Sequence, residues 1–323
     1  MGRVFESDQE HAKSQGLVSV LVLAFRRPDK LYETLTALKV NGPGKVYIHI
    51  DGPRYGVAED ATAVAACLEV ANQFIWECPS EIRLLPENGG LGLGVLKGIN
   101  WFFEHETNGI ILEEDVLIAP NSLFLAGLML QEFAHDSEVG SVTLFNAVPE
   151  RVQSQPESLL RFSKMPSSQY WGTWKDRWVQ TIELSSITLQ TNSRAELVGV
   201  GGERFAEFWV DSLGSAMADK QISWEHAWIL THWINNWKSI VSNKNFAVHN
   251  GFGATASNSN VRPSWYPTQF SEILDPYPVI SHPALDSRAD AWYFNQRFGL
   301  SRWKKIKRGV KKVVEAFRRM FPL

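Results

Sequence analysis

The chain has 323 residues, of which 44% are hydrophobic and 21% charged, values typical of folded globular proteins, so a disordered or fibrous chain is excluded. This length suits one large α/β domain with additions, or two small domains. The net charge is −3, and the two cysteines lack metal-ligand spacing, so a disulfide scaffold is not expected and a reducing compartment fits.

The N-terminal segment at residues 1–16 is polar, and we expect it to form a tail rather than a secretory signal. The apolar run that follows at 20–25 has the length of a strand and is far too short to cross a bilayer. The sequence therefore predicts no membrane-spanning segment.

The first half of the chain alternates strand-like and helix-like patterns. Buried-strand patterns cover 17–25, 46–50, 82–85 and 109–112, while helical spacing covers 29–38 and 58–74 and a glycine-rich turn at 89–94 leads into a helix to about 104. Strands that alternate with helices predict a parallel sheet, and such sheets bind ligands at the carboxyl ends of their strands. Arg27, Asp51, Asn88 and the acidic residues at 113–115 fall at or just after these ends.

The second half has a less regular pattern. It contains a strand pattern at 141–145, a helix from near Ser223 to about Trp237, a strand that begins at 240 and a polar loop at 249–260. Trp171, Trp174 and Trp178 are spaced to share one face if their segment is helical. We expect these tryptophans to fill the core rather than to form a platform for a sugar.

An acidic triplet, Glu113-Glu114-Asp115, follows the apolar run at 110–112. Three adjacent carboxylates repel one another and need a cation or hydrogen-bond donors nearby. Mg²⁺ or Mn²⁺ would satisfy this need, because both ions prefer oxygen ligands and keep positions open for phosphate oxygens. The alternative is a solvated acidic turn.

The segment around this triplet, IILEEDVLIAP at 110–120, resembles the metal-binding segment of animal N-acetylglucosaminyltransferase I, where a Glu-Asp-Asp triplet ends the strand. Bacterial relatives of that family, some labelled haemolysin-like, share the Asn-x-Gly-Leu pattern found at 88–91. Other segments are similar to the family in the same order over residues 17–262: LVLAFRR at 21–27, Ile50-Asp51-Gly52, Trp224-Glu225 with Trp228, and Phe252-Gly253 with Ala256-Ser257.

The resemblance implies a GT-A fold, that is, a Rossmann-like α/β nucleotide-diphospho-sugar transferase fold with a mostly parallel central sheet. The implied catalytic domain spans 17–275, with a nucleotide-sugar half at 17–120 and an acceptor half at 121–275, followed by a connecting segment at 276–300. The implied function is a metal-dependent, inverting transfer of a sugar from a nucleotide-sugar donor, such as a UDP-sugar or UDP-GlcNAc, to a glycan or lipid-linked acceptor.

The resemblance also implies roles for the acidic residues. Asp115 would bind Mn²⁺ or Mg²⁺, while Glu113 and Glu114 would accept hydrogen bonds from hydroxyl groups of the donor. His249 would be a second metal ligand, as in many GT-A enzymes, although the N-acetylglucosaminyltransferase match has no counterpart for it. The triplet departs from the family in carrying Glu at its second position, which leaves Asp115 as the surest ligand.

For the reacting groups, the resemblance assigns the general base to Glu225, where the family has Asp, so the carboxylate lies one methylene further from the backbone. Trp224 and Trp228 would exclude water and raise the pKa of this carboxylate. Trp171 and Trp224 would lie on the acceptor side. The alternative for Glu225 is an ordinary surface position on a helix.

The donor nucleotide has further candidate partners at the strand ends. Arg27 would reach phosphate or uracil, and Asp51 would accept from the ribose or the base, although Asp51-Gly52-Pro53 also suits a plain turn. Asn88 and the glycine-rich turn would approach the nucleotide, Lys97 would contact phosphate, and Gly253 would belong to a loop that closes over the donor.

The C-terminal segment is strongly basic. Residues 302–323 include nine Lys or Arg and one acid, so this segment carries +8 and the rest of the chain −11. Apolar residues recur every three or four positions from Trp303 to Met320, which predicts an amphipathic helix at 301–323 that binds an anionic membrane surface through 302–321. This places the protein in the cytoplasm, on the inner face of the membrane. The alternative is a helix packed on the acidic body, and nucleic acid is not an expected partner because that body repels phosphate.

Two other classes of protein stay open. A sugar nucleotidyltransferase also uses an α/β sheet and a metal, but it would need a glycine-rich phosphate loop after the first strand, and Arg26-Arg27-Pro28 has no glycine. A membrane-binding, lytic or scaffolding protein could instead carry a vestigial transferase site. Turnover of a nucleotide-sugar donor would separate an enzyme from such a scaffold.

Overall fold

The structure is a computed structural model that describes residues 18–181, 191–218, 223–253, 261–272 and 283–298. Its strands are β1 (Ser19–Ala24), β2 (Lys45–Ile50), β3 (Ser80–Leu84), β4 (Asn108–Glu113), β5 (Val116–Ile118), β6 (Val139–Thr143), β7 (Leu160–Ser163), β8 (Trp171–Trp174), β9 (Lys238–Ser242) and β10 (Ala247–His249). Its α-helices are α1 (Pro28–Val40), α2 (Ala58–Gln73), α3 (Val95–His105), α4 (Ser122–Glu132), α5 (Lys175–Trp178), α6 (Thr191–Gly201), α7 (Glu203–Ala218), α8 (Trp224–Ile234) and α9 (Ser287–Phe298).

Eight of the strands form one sheet in the order β3-β2-β1-β4-β8-β6-β9-β7. Strands β1 to β4 pair in parallel, β6 and β9 pair in parallel, and β7 and β8 run antiparallel to their neighbours. The predicted fold class, a GT-A-like α/β fold with a mostly parallel central sheet, is confirmed by this arrangement. Both predicted halves contribute strands to the sheet, and the domain boundaries themselves stay a prediction.

The central strands of the sheet are buried on both faces, which explains why β1 is an apolar run from Val20 to Ala24. Alternate residues of β1 point to opposite faces. Val20 and Val22 belong to a core cluster with Leu31, Leu35 and Leu38 of α1. On the other face, Leu21 and Leu23 pack in a second cluster with Ile99, Phe102 and Phe103 of α3.

The tryptophan-rich segment is only partly helical. Trp171 and Trp174 belong to β8, and the helical part is confined to the single turn α5. Two residues three apart on a strand point to opposite faces, so Trp171 joins the same core cluster as Trp178 while Trp174 joins the other. All three are buried, and the expectation that they fill the core is confirmed.

The predicted helix from Ser223 ends earlier than expected, at Ile234, because Asn236 adopts a left-handed conformation with φ of 54°. The segment expected to connect, 276–300, contains α9, which is held to the end of β7 by Ser163 and Lys164 donating to Asp290. The predicted amphipathic helix at 301–323 lies outside the described residues. Within the described ranges, no helix combines the length and apolar character that a bilayer span requires.

Candidate active site

A cavity of about 680 Å³ lies at the carboxyl ends of β1, β2 and β4. Because these strands are parallel neighbours, the residues that follow them emerge at one edge of the sheet. The volume falls in the range of small-molecule pockets. Five carboxylates and four guanidinium groups line it: Asp51, Glu113, Glu114, Asp115, Glu225, Arg26, Arg27, Arg54 and Arg297. Such a mixture of charges suits a ligand that brings both phosphates and a cation.

Three side chains converge as a candidate metal site. Glu113, Asp115 and His249 each offer one ligand atom, and these atoms lie within 4.8 Å of one another. The antiparallel pairing of β10 with β5 sets His249 opposite Val116, beside Asp115. His249 Nε2 lies 3.5 Å from Asp115 Oδ1, and that buried oxygen accepts no hydrogen bond from the residues that the structure describes. An orphaned carboxylate oxygen with a second carboxylate and an imidazole fits Mn²⁺, and less closely Mg²⁺.

The pKa values of two members of this trio are shifted, upward for Glu113 and downward for His249. Burial raises the pKa of Glu113, and the charges of Asp115 and Glu225 raise it further. Burial lowers the pKa of His249 more than Asp115 raises it, so the ring is held neutral. A neutral imidazole is the form that binds a metal ion. A raised pKa at Glu113 is the shift expected where neighbouring carboxylates repel one another and a cation would relieve that repulsion.

Arg27 and Glu114 are engaged with each other rather than free for a ligand. Arg27 Nε donates to Glu114 Oε1 at 2.7 Å, and Arg27 Nη2 donates to Asp115 Oδ2 at 2.6 Å. The second oxygen of Glu114 accepts from the backbone N–H of Phe25 at 2.7 Å. Both side chains line the cavity, but Glu114 has no oxygen left without a donor, which argues against the expected contact with a donor hydroxyl.

Asp51 organises the glycine-rich turn. Its carboxylate accepts from the backbone N–H groups of Gly52, Gly89 and Gly90 and from Asn88 Nδ2, at 2.8 to 3.0 Å. Gly94 is required at the end of this turn, since a Cβ there would lie 2.7 Å from Asp51 Oδ2. Asp51 and Asn88 both line the cavity, and the hydrogen bonds of Asp51 to Asn88 and to the glycines hold its wall in place. Their predicted contacts with the donor stay a prediction.

Glu225 enters the cavity from the first turn of α8. Its Oε1 accepts from Ser168 Oγ at 2.7 Å and from Arg297 Nη2. Burial raises the pKa of Glu225, but the charge of Arg297 and the two hydrogen bonds outweigh burial and hold the pKa below its ordinary value. The net shift is therefore opposite to the one expected from burial beside Trp224 and Trp228, because the ion pair and the hydrogen bonds together outweigh burial.

Four of the predicted site residues do not line the cavity. Trp171 and Trp224 are 1% and 3% exposed and stack on each other in the core, with ring centroids 5.6 Å apart, so neither offers a face to an acceptor. Lys97 is exposed on α3, outside the residues that line the cavity. Phe252 lines the cavity while its neighbour Gly253, with φ of 134°, does not, and residues 254–260 of the expected closing loop lie outside the described residues.

Several residues that line the cavity were not predicted from the sequence. Ser168 precedes β8 in a loop, and Arg297 lies in the last turn of α9, 72 residues from its partner Glu225. Trp265 and Tyr266 form an aromatic wall beside them, with ring centroids 4.6 Å apart. The one available signal was the composition of 262–266, where an arginine, a proline and two aromatic residues follow a polar loop.

Comparisons with known proteins concern the fold. No protein-family model matches the sequence, and no curated protein matches it. The solved structure of the mannosyltransferase PcManGT from Pyrobaculum calidifontis, in complex with GDP-Man and Mn²⁺, is similar over 50% of this chain and 45% of that chain, with 16% identity and a TM-score of 0.35. A UDP-glucose pyrophosphorylase complexed with UDP-glucose is similar over 47% of this chain and 65% of that chain, with 10% identity and a TM-score of 0.28.

A third similar structure is HddC from Yersinia pseudotuberculosis, over 49% of this chain and 77% of that chain, with 10% identity and a TM-score of 0.29. The chain thus spans less than half of the mannosyltransferase and less than two thirds of the pyrophosphorylase. Fold and cavity together define an α/β protein with a charged ligand site at the carboxyl ends of its parallel strands.

Proposed function

We propose that this protein is a metal-dependent, inverting glycosyltransferase that uses a nucleotide-sugar donor. The observation that carries the proposal is the pairing, in one cavity, of a metal-ligand trio that includes an orphaned Asp115 oxygen with a separate, oriented carboxylate at Glu225. An inverting transfer needs both parts: a centre of positive charge for the leaving diphosphate and a base for the acceptor hydroxyl.

The residues divide the reaction between them. Asp115, Glu113 and His249 would hold a divalent ion, which would supply positive charge opposite the departing diphosphate. Glu225 takes the proton of the acceptor hydroxyl. The acceptor oxygen then bonds to the anomeric carbon of the donor sugar as the bond from that carbon to the diphosphate oxygen breaks, and the configuration inverts. Arg27 keeps the ligand oxygens of Asp115 in place by its hydrogen bond to Oδ2.

An aromatic wall of the cavity supports a carbohydrate acceptor. Trp265, Tyr266 and Phe252 line the cavity and contact one another, with centroid distances of 4.6 and 5.4 Å between successive rings. Gln169 donates to the hydroxyl of Tyr266 at 3.0 Å, which fixes that ring. Aromatic faces beside a few polar groups suit the apolar face of a sugar. This supports a glycan or lipid-linked acceptor.

The experiment that tests the proposal is a panel of UDP-, GDP- and CMP-sugars, each with Mn²⁺, Mg²⁺ or EDTA, followed by thermal shift and by slow donor hydrolysis. We expect one nucleotide class to stabilise the protein in the presence of Mn²⁺ only, and UDP-GlcNAc is the first donor to test. Release of pyrophosphate from a nucleoside triphosphate and a sugar phosphate would instead indicate a nucleotidyltransferase. Absence of binding and turnover across the panel would indicate a non-catalytic protein.

We also propose that residues 302–321 hold the protein on an anionic membrane in the cytoplasm. Each Lys or Arg near such a surface contributes about 1 kcal/mol, and this attraction falls off within a Debye length. If half of the nine basic residues reach the surface, the attraction amounts to roughly several kcal/mol before apolar burial is added.

We therefore expect the full chain to sediment with anionic vesicles at low salt and to dissociate as salt rises, while neutral vesicles leave it in the supernatant. A chain that ends at Ser301 should stay folded, bind no vesicles and still act on small acceptors. Failure of the full chain to bind anionic vesicles, or unfolding of the shortened chain, would indicate that the basic segment packs on its own domain.

A further inference from the structure

Glu225 is held asymmetrically. Ser168 Oγ and Arg297 Nη2 both donate to Oε1, and among the described residues no hydrogen-bond donor reaches Oε2. The carboxylate is 27% exposed and Arg297 is 22% exposed, so the pair sits at the cavity wall rather than in open solvent. One oxygen is therefore fixed by the protein, and the other is left for a ligand.

The two donors and Glu225 come from three separate elements of the chain. Ser168 belongs to the loop before β8, Glu225 to the first turn of α8, and Arg297 to the last turn of α9. Arg297 is itself fixed, because Nη1 donates to the Tyr293 hydroxyl at 3.1 Å and the guanidinium lies 5.4 Å from the ring centroid of Phe298. A planar guanidinium held in this way loses little freedom when it binds a carboxylate.

We propose that Arg297 and Ser168 are positioning residues that clamp Oε1 of Glu225 and present Oε2 to the acceptor hydroxyl. This inference rests on the proposed transferase function. A base must lie within hydrogen-bond reach of the proton it removes, and a free carboxylate rotates and shares its two oxygens among solvent and donors. With Oε1 occupied, the hydroxyl proton moves to Oε2, while the acceptor oxygen gains its bond to the anomeric carbon and the diphosphate leaves with the electrons of the broken bond.

The competing explanation is a purely structural ion pair that joins α9 to α8. The two explanations differ in what happens when Glu225 is no longer a base. A positioning residue acts through Glu225, so its loss has no further effect on transfer once Glu225 is replaced. A structural ion pair is broken by either single substitution, so both Arg297→Gln and Glu225→Gln would then lower the thermal-unfolding midpoint along with transfer. A positioning residue instead lowers kcat with little change in that midpoint.

The test is a double-mutant cycle with Arg297→Gln and Glu225→Gln, read out as kcat for transfer, KM for the acceptor and affinity for the nucleotide. We expect Arg297→Gln to lower kcat by about 10²-fold, the size of effect that misplacement of a catalytic group produces. Nucleotide affinity should change little. Arg297→Lys should restore part of kcat, since it keeps the charge and one donor. Arg288→Gln removes a charge from an exposed position on the same helix and should leave all three values unchanged.

In the Glu225→Gln background, adding Arg297→Gln should leave kcat unchanged. The clamp would be overturned if Arg297→Gln lowered kcat equally with and without Glu225→Gln, or if Arg297→Gln alone left kcat unchanged. Transfer by the wild-type protein would still support the proposed function in either case. If no donor and acceptor pair reacts with the wild-type protein, the function fails and the clamp with it. Should Arg297→Gln not fold, Ser168→Ala removes the other donor to Oε1 and must show the same dependence on Glu225.

Discussion

Asp115→Asn is expected to abolish Mn²⁺ binding and to lower sugar transfer by about 10³-fold, the factor that corresponds to roughly 4 kcal/mol of lost charge stabilisation. The substitution keeps the size of the side chain and removes its charge. Arg27 remains paired with Glu114 through its Nε, so no cation is left without a partner and the fold should persist. The measurement is the free-Mn²⁺ signal in electron paramagnetic resonance during titration of the protein, with transfer rates alongside.

A second variant, Gly251→Ala, disturbs the Asp115 carboxylate without replacing Asp115. A Cβ added at Gly251 would lie 1.8 Å from Asp115 Oδ2, so Gly251→Ala must displace that side chain. We expect it to weaken Mn²⁺ binding as well. Gly199→Ala, where the added carbon meets nothing within 4 Å, is the matched control and should leave Mn²⁺ affinity unchanged. Full Mn²⁺ affinity in Asp115→Asn, or undiminished transfer in excess EDTA, would exclude Asp115 from a metal site.

The fold could be predicted from the sequence because the central strands of its sheet are buried on both faces. In β1 and β4 this burial demands unbroken apolar runs, and the polar residues that end such runs mark one edge of a parallel sheet. Chain order then places Arg27, Asp51 and Asp115 at a common cavity without any knowledge of side-chain geometry.

The sequence could not predict which polar side chains form hydrogen bonds within the protein and which remain available to a ligand. Asp51 and Glu114 stand at the predicted positions, yet their oxygens accept from backbone N–H groups and from Asn88 or Arg27. A strand-end carboxylate that holds a turn and one that awaits a ligand have the same pattern in the sequence. They differ only in the backbone path of neighbouring loops.

Lys97 was predicted to contact phosphate but lies outside the cavity, and its angular position on the helix explains why. Gly94 and Gly98 lie four residues apart on the face of the helix toward Asp51 and His49, where an added Cβ would meet those side chains at under 3 Å. Lys97 is rotated by about 100° from Gly98 and so reaches solvent. Arg297 illustrates the opposite case, since a contact across 72 residues leaves no local periodicity for a single sequence to reveal.

Glu225→Gln is expected to lower transfer by about 10²-fold or more while nucleotide-sugar affinity stays near that of the wild type, the pattern left by removal of a general base. The amide keeps the shape of the side chain and can still accept from Ser168 and Arg297 through its oxygen, but it cannot take a proton from the acceptor. The three metal-ligand side chains are all retained, so Mn²⁺ should still bind. Glu104→Gln, an exposed position on α3, is the control for loss of one negative charge.

The chemical identity of the base is tested further by Glu225→Asp, which restores a carboxylate one methylene closer to the backbone. If Glu225 removes the proton, this variant should transfer faster than Glu225→Gln and slower than the wild type, because the shorter side chain holds its charge but draws back from the acceptor hydroxyl. Single-turnover rates with saturating donor isolate this step from product release. Transfer by Glu225→Gln within a few-fold of the wild type would mean that another group takes the proton, and Glu225 would then be a structural partner of Arg297.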